Sequence, residues 1–230
     1  VASVAKEPAV KVLLFGASGM VGQGVLRECL LDAHVSEVIA IGRSASGHAP
    51  HPKLREVVQA DLFDTAALAP VLAEGDACFF CLGVSSAGLS EAAYARLSVD
   101  LPLAVARALA ALRPGAAFTY VTGAGTDSSG QGRIMWARVK GRAESALLAL
   151  PLRAVMFRPA AIVPMHGERS KTRSYRILYD LLEPLRPLLL KAPGRWVTTT
   201  ERVGRAMITI VRYGSPKPVL ESEDINRVGA

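Results

Sequence analysis

Apolar residues in this chain follow two rhythms. Short runs rich in Val, Ile, Leu and Phe stand at 10–15, 37–41, 54–59, 77–82, 117–122 and 152–157, each bounded by turn residues, and each predicts a buried strand. Between them, apolar positions recur at helical spacing over 19–31, where Val21, Val25 and Leu26 share a face, and again over 65–72, 90–112 and 133–148. Pro102 lies inside the third of these and must kink or split that helix. Strands separated by helices of this length need parallel crossovers, so the pattern predicts an α/β fold: a doubly wound parallel sheet covered on both faces. Past Pro159 the alternation stops. There follow a loop, an apolar stretch over 174–190 broken by Pro184 and Pro187, a helix over 199–211 capped by Thr199 or Thr200, and an edge strand at 219–221. No repeat or low-complexity linker interrupts the chain. It therefore reads as a single domain over 1–230, with 160–215 forming much of a small C-terminal lobe on the substrate side of the strands.

Composition narrows the class. With 230 residues, half of them apolar and a fifth charged, the chain can bury a large core, and disorder is excluded. No apolar run approaches the roughly 20 residues of a membrane span, so no transmembrane segment is expected. Three cysteines make no disulfide framework, and Val1 to Pro8 show no basic stretch leading into a dedicated apolar one; both features predict a cytoplasmic protein. The net charge of +7 is concentrated between residues 167 and 205, where nine Lys and Arg face four Asp and Glu. No aromatic-interleaved basic groove accompanies that excess, so nucleic acid is not an expected partner. The apolar, basic stretch after residue 169 can instead close over a substrate pocket, or present a surface to a second copy, a protein partner or an acidic membrane surface.

The first strand runs into Gly16-Ala17-Ser18-Gly19-Met20-Val21-Gly22, which opens a helix. Glycines spaced this way tighten the turn, let the backbone approach a pyrophosphate and let helix pack on strand, while the helix N-terminus offers free N–H groups. Gly16, Ser18, Gly19, Met20, Val21 and Gly22 are the predicted pyrophosphate site of a dinucleotide, and the chain reads as a Rossmann fold. An NAD site would place Asp or Glu at the end of the second strand; here Arg43 and Ser44 stand there, suited to a 2′-phosphate, and NADP is preferred over NAD. Asp61 and Leu62 fall near the adenine, with a turn cap as the other role open to Asp61. Cys81, Leu82 and Gly83, at the end of the fourth strand, fall near the ribose and phosphates. Cys78 and Cys81 have C-x-x-C spacing, but residues three apart on a strand point to opposite faces, which excludes a redox pair. The four histidines are scattered, and no metal site is expected.

The fifth strand ends in Val121-Thr122-Gly123-Ala124-Gly125-Thr126-Asp127, and the next helix carries Trp136-Ala137-Arg138-Val139-Lys140-Gly141. With G-A-S-G-M-V-G near the start and Phe157-Arg158-Pro159 after the sixth strand, the chain resembles the atypical, extended branch of the short-chain dehydrogenase/reductase superfamily. The likeness is to its Tat-interacting-protein-like group, and more loosely to NmrA-like and sugar-epimerase-like proteins; it covers residue 10 to about 159. The resemblance implies that Thr122 polarises a substrate carbonyl, that Lys140 holds the nicotinamide ribose, and that Pro159 lies against the carboxamide. The family's tyrosine, four residues before the lysine, is Trp136 here. An indole N–H donates but does not titrate usefully, so Trp136 can wall the nicotinamide end but cannot exchange a proton. Three outcomes stay open: another group such as Tyr120, Tyr94, Tyr175 or Tyr179 supplies the proton; the acceptor takes it from water; or cofactor binding persists without turnover.

Overall fold

The computed structural model describes residues 9–169, 184 and 186–230. Seven strands form one parallel sheet in the order β3-β2-β1-β4-β5-β6-β9. They are β1 (Val10–Phe15), β2 (Val35–Gly42), β3 (Leu54–Val58), β4 (Ala77–Phe80), β5 (Ala117–Val121), β6 (Arg153–Arg158) and β9 (Val219–Glu221). β1 lies between β2 and β4, and the winding reverses between β1 and β4, which is where open α/β sheets leave a ligand crevice at the carboxyl ends of their strands.

The alternation within β1 decides which helices cover which face. Val12 and Leu14 point to a layer containing α1 (Met20–Leu31), α7 (Thr200–Tyr213) and α8 (Ser222–Val228). Leu13 and Phe15 point to the other, with α2 (Thr65–Leu72), α4 (Leu101–Leu112) and α5 (Met135–Leu148). The two faces separate Cys78 from Cys81 as strand geometry requires: Cys78 belongs to the second layer, whereas Cys81 packs against the first.

The long helix expected over 90–112 is divided. Glu91–Ala95 is α3, Arg96–Asp100 is a π-helical turn, and α4 begins with Pro102 in its first turn. Proline has no N–H to return to the carbonyl four residues back, that of Ser98.

Beyond β6 a second, two-stranded parallel sheet joins β7 (Ala161–Val163) to β8 (Val197–Thr199). Three-residue strands carry too little periodicity to be foreseen. A short helix, α6 (Arg186–Leu189), precedes β8, and Thr199 caps α7 by accepting from the Arg202 N–H at 3.0 Å. Helix α7 is a wall of the core, since Val203, Ala206, Met207, Ile210 and Val211 are buried with α1; this part of 160–215 therefore covers a sheet face rather than the strand ends. Most of the apolar stretch 174–190 lies outside the described residues, Tyr175 and Tyr179 among them. No helix among the described residues is long and apolar enough to cross a membrane.

Candidate dinucleotide site

The glycine loop is shaped by its neighbours at two of its three glycines. Gly16 has φ +87°, and a Cβ there would sit 2.6 Å from the Leu82 backbone nitrogen. A Cβ on Gly22 would overlap the Gly16 carbonyl, coming within 2.7 Å of its carbon and 3.0 Å of Ala17 Cα. Gly19 is different. It caps α1 with φ −86° and ψ 161°, a conformation open to any residue, and its Cβ would meet only the Gly16 oxygen, at 3.4 Å. The fold itself needs a glycine at 16 and 22 but not at 19, and the middle glycine of such a loop is the one whose missing side chain lets a pyrophosphate reach the backbone. No acidic residue stands in the first turn of α1 to compete for its free N–H groups, those of Met20, Val21 and Gly22.

The other cofactor positions lie along the same edge. Cys81 donates its backbone N–H to the Phe15 carbonyl at 2.9 Å, holding Leu82 against Gly16, while a Cβ on Gly83 would meet open space. Burial pushes the Cys81 thiol up to about 12, which keeps it protonated and unreactive. Arg43 and Ser44 are exposed just past β2. Leu62 is buried, and the Asp61 carboxylate accepts from the Phe63 N–H at 2.9 Å, the turn-capping role.

At the end of β5 the arrangement departs from the expectation for Thr122. Its hydroxyl donates to the Glu144 carboxylate at 2.6 Å, with the Phe157 carbonyl 3.1 Å away, so it is turned into the protein. Glu144 is 2 % exposed and is gripped by Arg158, whose Nε lies 3.0 and 3.1 Å from the two carboxylate oxygens and whose Nη2 also reaches Ser128 Oγ at 2.6 Å. Glu144 was not foreseen, although a lone carboxylate on the buried side of a helix, one turn past Lys140, is the signal that could have found it. Two glycines, not Thr122, face Trp136: a Cβ on Gly123 would lie 3.9 Å from the indole and 4.0 Å from the Pro159 carbonyl, and one on Gly125 3.7 Å from the indole. Among the described residues, the mouth beside Trp136 thus has neither a strand-end hydroxyl nor a phenol.

Lys140 is 6 % exposed. Its ammonium donates to Tyr120 Oη at 2.9 Å and to the Val121 carbonyl at 3.1 Å, and sits 4.4 Å from the centre of the Tyr120 ring. The phenol in turn donates to the Ser98 carbonyl, to which Pro102 has no N–H to offer, at 2.7 Å. Burial lowers the lysine to about 8, against the opposing pull of Glu144, and raises the phenol well above its ordinary 10. Tyr120 has no exposed surface and Tyr94 almost none, so neither buried phenol lies at the mouth to exchange a proton with a substrate. Gly141 is set by packing, since a Cβ there would stand 2.5 Å from the Asp127 carbonyl carbon. Asp127 donates its N–H to the Ala137 carbonyl at 3.1 Å, fixing the 123–127 turn on α5.

A glycine loop between the first strand and first helix, a sheet that reverses beside it, and a lysine at the end of β5 define an NAD(P)-binding protein with an oxidoreductase-like fold. The profile of the NAD(P)H-binding family matches residues 16–176, and the chain belongs to that family. No curated protein matches the sequence. Among solved structures it is similar to the Bordetella bronchiseptica enzyme WbmF in complex with NAD+, with 16% identity over 96% of this chain and 77% of that one and a TM-score of 0.67. It is likewise similar to WbmH of the same organism in complex with NAD+ (17%, 93% and 75%, 0.68). A third similar structure is the UDP-N-acetylglucosamine 4-epimerase from Methanobrevibacter ruminantium M1 in complex with UDP-N-acetylmuramic acid (16%, 92% and 75%, 0.68). These likenesses establish the fold, and with the family match they bear out the short-chain dehydrogenase/reductase-like reading.

Proposed function

We propose that this chain is an NADP-preferring oxidoreductase of the atypical short-chain type, acting on a small carbonyl-type organic substrate. Gly19 carries the reading: it is the glycine of the loop that neither backbone conformation nor packing demands, and a bound pyrophosphate explains it. When bound, the nicotinamide supplies or accepts hydride. Gly16, Ser18, Gly19, Met20, Val21 and Gly22 would hold the diphosphate, Arg43 and Ser44 the 2′-phosphate, and Leu62 with Asp61 would border the adenine. Cys81, Leu82, Gly83 and Pro159 would line the path toward the nicotinamide, and Lys140, charged below about pH 8, would turn its remaining donor to the ribose. Trp136 would wall the reacting end.

Gly123 and Trp136 favour a second reading, a cofactor-loaded regulator without turnover, because no titrating hydroxyl among the described residues faces the mouth there. The same absence weighs against sugar-nucleotide epimerisation, the chemistry named for the Methanobrevibacter relative, which needs proton exchange as well as hydride transfer.

Thermal melts with NADPH and NADH test the cofactor assignment. A ligand at about 100 times its Kd stabilises by roughly 2.7 kcal/mol. NADPH is expected to raise the melting temperature more than NADH at equal concentration, and Arg43→Ala to abolish the difference. Equal shifts in the wild type would leave Arg43 without a role in selection.

A further inference from the structure

The segment after β7 is strapped onto the first turn of α1. Met165 donates its N–H to Thr200 Oγ1 at 3.3 Å; that hydroxyl donates to Glu168 Oε1 at 3.0 Å; and Glu168 Oε2 accepts the His166 N–H at 2.7 Å. Glu168 is 7 % exposed, so it anchors the strap from within. Gln23, in α1, secures the far end. Its amide nitrogen donates both to the Ser18 carbonyl at 3.0 Å and to the Arg169 carbonyl at 3.2 Å, and its oxygen accepts the Arg169 N–H at 3.1 Å. One side-chain nitrogen therefore bridges the backbone of the glycine loop and the backbone of residue 169, which stand two hydrogen-bond lengths apart.

What the strap presents at that point is a cation. Arg169 is exposed, and among the described residues its guanidinium has no hydrogen bond or ion pair. Two acidic groups tied to the strap are engaged elsewhere, Glu168 with Thr200 and Glu201 with His166 and Arg205. A guanidinium carried on a backbone that Gln23 ties to the glycine loop complements a diphosphate in charge, and its planar fork can bind two oxygens at once. Resting on the dinucleotide reading of the loop, we infer that Arg169 is an additional contact to the cofactor's diphosphate and that Gln23 positions it.

The two arginines then act on different parts of the ligand. Arg169 meets the diphosphate common to NADPH and NADH, whereas Arg43 meets the 2′-phosphate present only in NADPH. Calorimetric titration of the full chain with each nucleotide is expected to show Arg169→Ala weakening both by about tenfold, a factor typical of one lost charge-assisted contact. Arg43→Ala should weaken NADPH alone. Gln23→Leu should weaken both nucleotides, and adding Arg169→Ala to it should lower affinity by much less than tenfold, because paired residues are not additive. Unchanged affinity in Arg169→Ala, or a loss confined to NADPH, overturns the inference while leaving the dinucleotide site standing. A wild-type chain that binds neither nucleotide overturns the dinucleotide reading, and this contact with it. Melting of each variant without ligand separates lost binding from lost folding; a Gln23→Leu variant that melts early leaves the decision to exposed Arg169.

Discussion

The three glycines of the phosphate loop can be separated by asking what a single methyl group does at each. At Gly22 the added carbon would stand 2.7 Å from the Gly16 carbonyl carbon and 3.0 Å from Ala17 Cα, so backbone must move. Overpacking of this kind typically costs about 1–3 kcal/mol. For a chain of this size that corresponds to a melting temperature lower by roughly 2–12 °C, at about 2–4 °C per kcal/mol. At Gly19 the same methyl meets one atom at 3.4 Å, in backbone open to any residue, so the cost is that of alanine at a helix N-cap, about 1 kcal/mol. The methyl does, however, fill the space through which a diphosphate would approach. Gly19→Ala should therefore melt only about 2–4 °C below the wild type without ligand and lose most of the NADPH-induced shift, while Gly22→Ala melts early before ligand is added and keeps its response to ligand. Scanning fluorimetry over an NADPH series reads both quantities in one experiment. A Gly19→Ala chain that keeps the full shift would refute the assignment of that glycine to the ligand.

Two further outcomes follow from the end of β5. Lys140 titrates near 8 when folded against 10.5 in its ordinary state, so between those values the unfolded chain binds more protons and this residue makes stability rise with pH. The burial penalty, on the order of 3 kcal/mol at 1.36 kcal/mol per pKa unit, is fully present below pH 8 and relieved above it. Denaturant unfolding of wild type and Lys140→Met from pH 7 to 10.5 should show the wild type gaining stability relative to the variant, and parallel curves would contradict a buried ammonium. Because Gly123 rather than Thr122 faces the indole, Trp136→Tyr alone should give little carbonyl reduction with NADPH. Gly123→Ser with Trp136→Tyr, for which the 3.9 Å clearance leaves room, should raise it at least tenfold; no gain across a panel of aldehydes and ketones would favour the regulator.

The central strands were legible because each is buried on both faces and reads as an unbroken apolar run, and the loop was legible because its glycines sit where a strand meets a helix. β7 and β8 were not, since three residues show no period. The side chains at the end of β5 were legible in kind but not in direction. Thr122 has the hydroxyl that the family resemblance asks for, yet Glu144, a partner 22 positions away, turns it inward. Lys140 lies on a helix that could have been amphipathic, and only the fold places Tyr120 beneath it. Gln23 and Arg169 are joined across 146 positions by side-chain-to-backbone hydrogen bonds that no motif records.

Pro102 connects a local irregularity to a distant charge. Since it cannot donate, the carbonyl one turn back belongs to Tyr120, whose oxygen is then oriented to receive Lys140. An ordinary residue at 102 would bring an N–H to share that carbonyl, weakening the phenol's bond to it and loosening the seat of the ammonium. Position 102, nowhere near the mouth, thereby governs how firmly the lysine is held at the carboxyl edge of the sheet.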